Sequence, residues 1–229
     1  AIKDYTTAIK YDSSYAEAYQ NRAHELFLLS RYDSSIKDYT KVIALQPDNF
    51  QAYFGRGLSK AEFGKHEDAI QDYTKAIALY PNFTYAYFYR GFSQSHLEKY
   101  EEAIKDFNKA IQLDPNDHTA YFNRAFNKRQ EGDFEGALKD YNTCIKLKPN
   151  FEDGYYQKAN TLYLMGDKEA MDDFNKALTL DENDAEAYRL RGILKYEIKD
   201  KDGACADFAK AVTLGDNEAI LLQNDICKK

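Results

Sequence analysis

Two series of charged residues recur along the chain and are its first candidates for chemistry. The basic series returns about every 34 residues, at Arg22, Arg56, Arg90, Arg124, Lys158 and Arg191. The aspartate series keeps the same spacing, at Asp4, Asp38, Asp72, Asp106, Asp140, Asp173 and Asp207. Because guanidinium groups match carboxylates in geometry and charge, the two series predict a ladder of ion pairs between packed helices. The 34-residue spacing indicates a repeating unit, and it leaves open whether each ion pair lies within one unit or joins two neighbouring units.

Neither these charges nor the other reactive side chains form a catalytic pattern. A ligand-binding track of charges would vary between repeats, whereas both series are nearly constant. The four histidines, His24, His66, His96 and His118, share neither a helical face nor a four-residue spacing, so we expect them in solvent or at a groove edge. The sequence has no glycine-rich phosphate loop and no nucleophile motif. It therefore predicts a protein that is not an enzyme and has no catalytic residues, metal or cofactor.

The four prolines reveal the elements that position these residues. Pro47, Pro81, Pro115 and Pro149 are each 34 residues apart in a chain of 229 residues. Aligned on them, the chain divides into a half repeat at 1–15, full repeats at 16–49, 50–83, 84–117, 118–151, 152–184 and 185–218, and a C-terminal capping helix at 219–229. Within each half of a repeat, apolar residues are spaced by three or four positions, the period of an amphipathic helix. The pattern predicts thirteen to fourteen helices and no strand.

Four positions carry the same kind of residue in every full repeat. The fourth is tyrosine, the eighth is glycine or alanine, the twentieth is small, and the twenty-fourth is tyrosine or phenylalanine. In the repeat 50–83 they are Tyr53, Gly57, Ala69 and Tyr73. With its closing proline, this pattern resembles the tetratricopeptide repeat over essentially the whole chain. The resemblance implies an all-α fold, a right-handed superhelical α-α solenoid at 1–229, in which the first helix of each pair lines a concave groove.

The first helices also carry aromatic and apolar residues that differ between repeats. These candidate groove residues are Phe54, Leu58, Tyr85, Phe88, Tyr89, Phe92, Phe122, Phe126, Tyr156 and Tyr163. A soluble monomer rarely displays so many apolar rings without a partner, so one interpretation is a groove that binds a peptide or a helix. The alternative is that the rings pack on one another and on neighbouring helices, and set the curvature of the array.

The sequence favours an interaction scaffold whose partner is a protein or a peptide. A net charge of −7 argues against an electrostatic hold on nucleic acid or anionic lipid. No apolar run approaches the roughly 18 residues that a membrane span needs. The alternative is a module for self-association, through the N-terminal edge or the groove, or for docking on another domain of a larger protein. The sequence leaves the compartment open and slightly favours the cytoplasm. A periplasmic or secreted protein is the alternative, because residues 1–12 predict a second helix without its partner, as in a truncated chain.

One repeat and the tail depart from the pattern. The repeat 152–184 is one residue short and has Glu182 in place of the proline, so we expect a tighter turn at 166–168. The tail predicts a helix that covers the last pair. Its inward-facing residues are expected to be Ile220, Leu221 and Ile226.

The three cysteines are too few for a disulfide framework in a chain of this length. Cys144 and Cys205 occupy positions that are apolar in other repeats, so we expect both to be buried. If the tail helix packs antiparallel on the last second helix, Cys227 comes near Cys205. The two could then form a disulfide in an oxidising compartment.

Overall fold

The computed structural model describes residues 1–227, which form fourteen α-helices and no strand, as the sequence predicts. The first seven helices are α1 Ile2–Tyr11, α2 Ala16–Leu28, α3 Tyr32–Leu45, α4 Phe50–Glu62, α5 His66–Leu79, α6 Thr84–His96 and α7 Tyr100–Leu113. The next seven are α8 His118–Gln130, α9 Phe134–Leu147, α10 Glu152–Leu164, α11 Ala170–Leu180, α12 Ala185–Glu197, α13 Lys201–Thr213 and α14 Asn217–Cys227. Among these helices, none combines the length and the apolar composition needed to cross a membrane.

The helices belong to two compact units, one ending at Pro115 and the other beginning at Asn116. The first unit contains the helix pairs α2–α3, α4–α5 and α6–α7, with α1 packed on α2. The second unit contains α8–α9, α10–α11 and α12–α13, with α14 packed on α13. Successive first helices also contact one another within each unit: α2 with α4 and α4 with α6, then α8 with α10 and α10 with α12. Each unit therefore has a row of first helices, which carries the predicted groove residues.

The eighth residue of each repeat is small because an aromatic ring of the second helix lies against it. A Cβ on Gly57 would lie 2.6 Å from Cε1 of Tyr73, and a Cβ on Gly91 would lie 3.2 Å from Cζ of Phe107. Both rings are fully buried. The equivalent rings of the later repeats, also fully buried, are Tyr141, Phe174 and Phe208. A larger side chain at the eighth position would have to displace a core ring, which explains why only glycine and alanine occur there.

The ion-pair ladder is confirmed, and each pair lies within a single repeat. In the repeat 50–83, Nε and Nη2 of Arg56 donate to the two carboxylate oxygens of Asp72, at 2.9 and 2.7 Å. The same two-bond contact recurs at Arg22–Asp38, Arg90–Asp106, Arg124–Asp140 and Arg191–Asp207. Nη1 of Arg56 also donates to Oγ1 of Thr40 in the preceding repeat, at 3.2 Å. The guanidinium groups of Arg22, Arg90 and Arg191 bond to the preceding helix in the same way. Because these groups join three helices, the charges are structural rather than a ligand track.

The repeat 152–184 differs from its neighbours at the turn between its helices. The chain tightens at the end of the expected segment, where the N–H groups of Ala170, Met171 and Asp172 donate to carbonyl groups three residues earlier, at 3.3, 3.2 and 3.3 Å. Five residues, 165–169, separate α10 from α11, whereas three residues, 63–65, separate α4 from α5. α11 begins at Ala170 and has 11 residues, compared with 14 in α9. The missing residue shortens α11 at its start, where the repeat 118–151 places Phe134, and three-residue bonds replace the first α-helical turn.

Polar contacts at its first turn hold α14 in place. Oδ1 of Asp216 accepts hydrogen bonds from the N–H groups of Glu218 and Ala219, at 2.8 and 3.0 Å. Oδ2 of the same carboxylate accepts from Nε of Arg189 in α12, at 2.8 Å. Nη1 of Arg189 also lies 3.0 Å from Oε2 of Glu218. These bonds fix where α14 begins and how it is rotated about its axis.

That rotation overturns the expected orientation of the tail. Ala219 is fully buried, whereas Ile220 and Leu221 are 40% and 68% exposed. Ile226 is half-buried, so it alone of the three predicted residues approaches the packed face. The prediction for Ile220 and Leu221 was wrong because the helix rotation is set by the polar contacts at the N-terminus rather than by apolar content.

The cysteines divide between the core and the tail. Cys144 is fully buried, as expected from its position in the repeat. Cys205 is half-buried rather than buried, and a disulfide joins it to Cys227. The bond fastens the end of α14 to α13 across a sequence separation of 22 residues.

Candidate functional site

Four predicted groove rings occupy the fifth position of their repeats and pack against the core. Each contacts the buried ring of its own second helix, with centroid separations of 5.8 Å for Phe54–Tyr73, 5.6 Å for Phe88–Phe107, 5.9 Å for Phe122–Tyr141 and 6.3 Å for Tyr156–Phe174. Tyr156 is buried and the other three fifth-position rings are half-buried. Truncating any of them would therefore disturb the core as well as the row of first helices.

The remaining predicted residues vary widely in exposure. Tyr85 is 64% exposed and Phe92 is 38% exposed, both on α6. The half-buried members are Leu58, Tyr89, Phe126 and Tyr163. The guanidinium of Arg129 lies over the ring of Phe126, 5.5 Å from its centroid, and Tyr163 packs against the core of the second unit. The most open rings of the predicted set therefore lie on α6 in the first unit.

The first unit has a recess between α4, the start of α5 and α6. We call it the apolar recess, and it encloses about 360 Å³. It is lined by Leu58, Ala61, Glu62, Gly64, His66, Tyr89, Phe92 and His96. Three of the predicted groove residues, Leu58, Tyr89 and Phe92, therefore meet at one cavity, together with two histidines and one carboxylate.

The two histidines form one wall of the apolar recess. The rings of His66 and His96 are stacked with centroids 4.7 Å apart and an angle of 9° between their planes. Phe92 contacts His96 edge to face, also at 4.7 Å. Burial lowers the pKa of His66, and the neighbouring His96 lowers it further, while Glu67 and Glu62 oppose the shift. The net direction favours the neutral form of the His66 imidazole.

A cluster of rings fills the junction that leads from the repeat 50–83 into α6. We call it the aromatic junction, and it consists of Phe50, Phe54, Tyr80 and Phe83. Phe83 lies 5.1 Å from Phe50 and 4.8 Å from Phe54, and Phe50 lies 4.9 Å from Tyr80. Phe54 also contacts Tyr89 at 5.7 Å, so the junction adjoins the ring that lines the apolar recess.

The second unit has an open junction between the starts of α10 and α12, which we call the acidic recess. It encloses about 380 Å³. It is lined by Glu152, Asp153, Tyr156, Gln157, Asp181, Asn183, Asp184, Ala185 and Glu186. Burial, followed by the nearby carboxylates of Asp153, Asp184 and Asp181, raises the pKa of Glu152 to about 7. Burial also raises the pKa of Asp184.

The sequence pattern identified the rings but missed the histidine stack. The two histidines are 30 residues apart, at the seventeenth position of one repeat and the thirteenth of the next. These two positions meet between α5 and α6, so position in the repeat was the available signal, rather than helical spacing. Within residues 1–227, no group of three or more His, Cys, Asp or Glu side chains is placed to hold a metal ion.

Comparison with known families identifies the repeat. Models described as tetratricopeptide repeat match residues 21–84, 84–117 and 152–184, and a model described as TPR repeat matches residues 128–166. Together these matches cover more than half of the chain. Among curated proteins, no sequence match to the chain is found.

Several solved structures share this arrangement of helices. YrrB, described as a TPR protein with an unusual peptide-binding site, has a TM-score of 0.70 at 22% identity, over 82% of this chain and 97% of its own. The C-terminal part of a TPR repeat-containing protein from Cytophaga hutchinsonii has a TM-score of 0.77 at 19% identity, over 96% and 92%. A tetratricopeptide repeat protein from Parabacteroides merdae has a TM-score of 0.71 at 23% identity, over 97% and 89%. At these identities the likeness concerns the fold.

Proposed function

The chain belongs to the tetratricopeptide repeat family, and from that premise we propose that it is a non-enzymatic scaffold that binds a peptide segment of a partner protein on its first helices. The observation that carries the proposal is the apolar recess. It brings Leu58, Tyr89 and Phe92 together at a cavity that is open to solvent. Buried aromatic anchors commonly dominate peptide and protein binding, and a recess of this size can receive a side chain of the partner.

The exposure of Phe92 supports the proposal further. The ring contacts His96 at the surface, whereas the fifth-position rings contact the core. It is 38% exposed, so no packing requirement of the helix pair explains a phenylalanine at this position. The solved relative YrrB is described as having an unusual peptide-binding site, which is a precedent for peptide capture on this fold.

Selection and mutation test the proposal together. A displayed library of random peptides is selected on the full chain, and the affinity of a selected peptide is measured by fluorescence anisotropy. Phe92→Ala should weaken binding by at least about tenfold, because it removes an anchor surface of the recess. Its thermal stability should stay close to that of the parent, since the ring is partly exposed and lies off the core. Phe88→Ala is less suitable as a test of binding, because Phe88 contacts the buried ring of Phe107 and its loss would also lower stability.

Tyr11→Ala is the matched control. Tyr11 lies at the end of α1 in the same unit, and it is 88% exposed. The variant removes an aromatic ring from the surface without touching the apolar recess, so it should bind the selected peptide as the parent does. Equal affinity of the Phe92→Ala variant and the parent, with both folded, would refute the proposed site.

A further inference from the structure

We propose that the apolar recess receives the side chain of an arginine or lysine in the bound peptide. This inference rests on the proposed peptide-binding function and specifies its ligand at one position. The recess combines apolar walls, aromatic faces and negative charge, which is the combination that a long basic side chain requires. Its aliphatic stem needs an apolar surface, and its charged head needs aromatic faces or a carboxylate.

The walls of the recess provide both surfaces. Leu58 and Ala61 on α4 form an aliphatic wall for the stem. Tyr89 and Phe92 on α6 form an aromatic wall for the head group. Planar guanidinium groups stack on aromatic faces, so arginine fits this wall better than lysine does.

The charge at the rim favours a cation. Glu62, on the rim, is exposed and is the last residue of α4. His96 is the last residue of α6, so α4 and α6 direct the negative ends of their dipoles toward the recess, while α5, which begins at His66, directs its positive end there. Two negative helix ends and the carboxylate of Glu62 outweigh one positive helix end, so the site favours a cation.

The lysines of the same turn do not supply the cation themselves. Nζ of Lys60 lies 2.8 Å from Oδ2 of Asp72, on the ladder. Nζ of Lys65 lies over the ring of Phe63, 5.1 Å from its centroid. The described residues that line the recess include no lysine or arginine, so the carboxylate of Glu62 remains available to a partner.

The histidine stack adds a condition on pH. His66 faces His96 on α6, Glu62 on α4 and Glu67 on its own helix. A bound cation is compatible with neutral imidazoles and is repelled by imidazolium groups. Since burial and His96 both favour the neutral form of His66, the recess accepts a cation near neutral pH and should lose it as the solution becomes acidic.

Small probes can test this inference without knowledge of the partner. The full chain is titrated with N-acetyl-arginine amide while the imidazole signals of its four histidines are followed by NMR. The signals of His66 and His96 should shift, whereas those of His24 and His118 serve as internal controls. N-acetyl-citrulline amide has nearly the same shape without the charge. It should therefore require a roughly threefold to tenfold higher concentration to produce the same shifts. Binding of the arginine probe should weaken between about pH 7.5 and about pH 5.5.

A pair of matched variants tests whether the carboxylate of Glu62 attracts the cation. Glu62→Gln should lower the affinity for the arginine probe by about twofold to fivefold. The expected loss is modest because the carboxylate is exposed and screened by solvent. Glu101→Gln, at an exposed position on α7, should leave the affinity unchanged. Equal shifts of His66 and His96 with the arginine and citrulline probes would overturn the inference, as would tighter binding of N-acetyl-leucine amide. If a selected peptide depends on Phe92 but not on a basic residue of its own, the basic ligand is wrong and the peptide site stands.

Discussion

The aromatic junction and the acidic recess occupy equivalent positions in two repeats, one in each unit. Once the missing residue of the repeat 152–184 is allowed for, the corresponding residues are Phe50 and Glu152, Phe54 and Tyr156, Tyr80 and Asp181, and Phe83 and Asp184. In the first unit these positions are filled by rings whose neighbouring centroids lie 4.8 to 5.1 Å apart. In the second unit they surround an open space of about 380 Å³. The helix pairs on either side keep the same core and ladder positions.

The two junctions start their next helix in different ways. Phe83 is the N-cap residue of α6 and makes no side-chain cap bond. Asp184 is the N-cap residue of α12, and its Oδ1 accepts a hydrogen bond from the N–H of Ala187 at 2.9 Å. Ring burial stabilises the first helix start, and a cap hydrogen bond stabilises the second. The repeat thus determines the core and the ladder but leaves the junction free, so the junction is where repeats of one chain acquire different surfaces.

Both units contain the ion-pair ladder, and substitutions in it should cause the largest loss of stability. The side chain of Asp72 is 5% exposed and pairs with both Arg56 and Lys60. Asp72→Ala should therefore lower the free energy of unfolding by about 3–5 kcal/mol, because it leaves partly buried cations unpaired. Asp173, in the short repeat, is 13% exposed and pairs with Lys158 at 2.8 Å. Asp173→Ala should cost about 1–3 kcal/mol.

Urea unfolding followed by far-UV circular dichroism measures both costs. Each variant is compared with the parent chain under the same conditions. A cost for Asp173→Ala equal to that for Asp72→Ala would show that the ladder contributes equally in the short repeat, against the comparison drawn from its contacts.

Substitutions at the two junctions should cause the next largest loss of stability. Phe83→Ala removes the ring that contacts both Phe50 and Phe54, so it should destabilise the first unit by about 2–3 kcal/mol. Asp184→Ala removes a cap hydrogen bond but also relieves a carboxylate whose pKa is raised by burial, so its cost should be about 0.5–1 kcal/mol. Thermal unfolding of each variant beside the parent measures the difference. A larger loss for Asp184→Ala would mean that capping, rather than ring burial, dominates at the junctions.

The sequence predicted what recurs and failed where contacts depend on a single repeat. The small eighth residues and the Arg–Asp series were identified from spacing alone, because every repeat needs the same close approach and the same link between helices. The stack of His66 on His96 was not identified, since it joins two positions that carry histidine together only once. The orientation of Ile220 and Leu221 was predicted wrongly, because a carboxylate and an arginine outside the tail helix decide its rotation.

The smallest expected effect concerns the titration of the acidic recess. The pKa of Glu152 is raised to about 7 in the folded protein, above its ordinary value of 4.5, so between these values the folded state binds more protons than the unfolded state. Stability must then fall as the pH rises through this range, because ionised Glu152 is partly buried beside other carboxylates. Glu152→Gln removes that penalty. The variant should therefore melt at a higher temperature than the parent at about pH 8, and its advantage should disappear near pH 5.

The aromatic junction has no corresponding carboxyl group, so the difference between parent and variant should come from Glu152 alone. Solvent screening at the partly exposed Glu152 keeps the expected difference below about 1 kcal/mol. Glu131→Gln, at an exposed turn of the same unit, is the control and should follow the parent at every pH. A constant difference in melting temperature between Glu152→Gln and the parent from pH 5 to pH 8 would instead attribute the effect to packing, because only a titrating carboxylate makes the difference depend on pH.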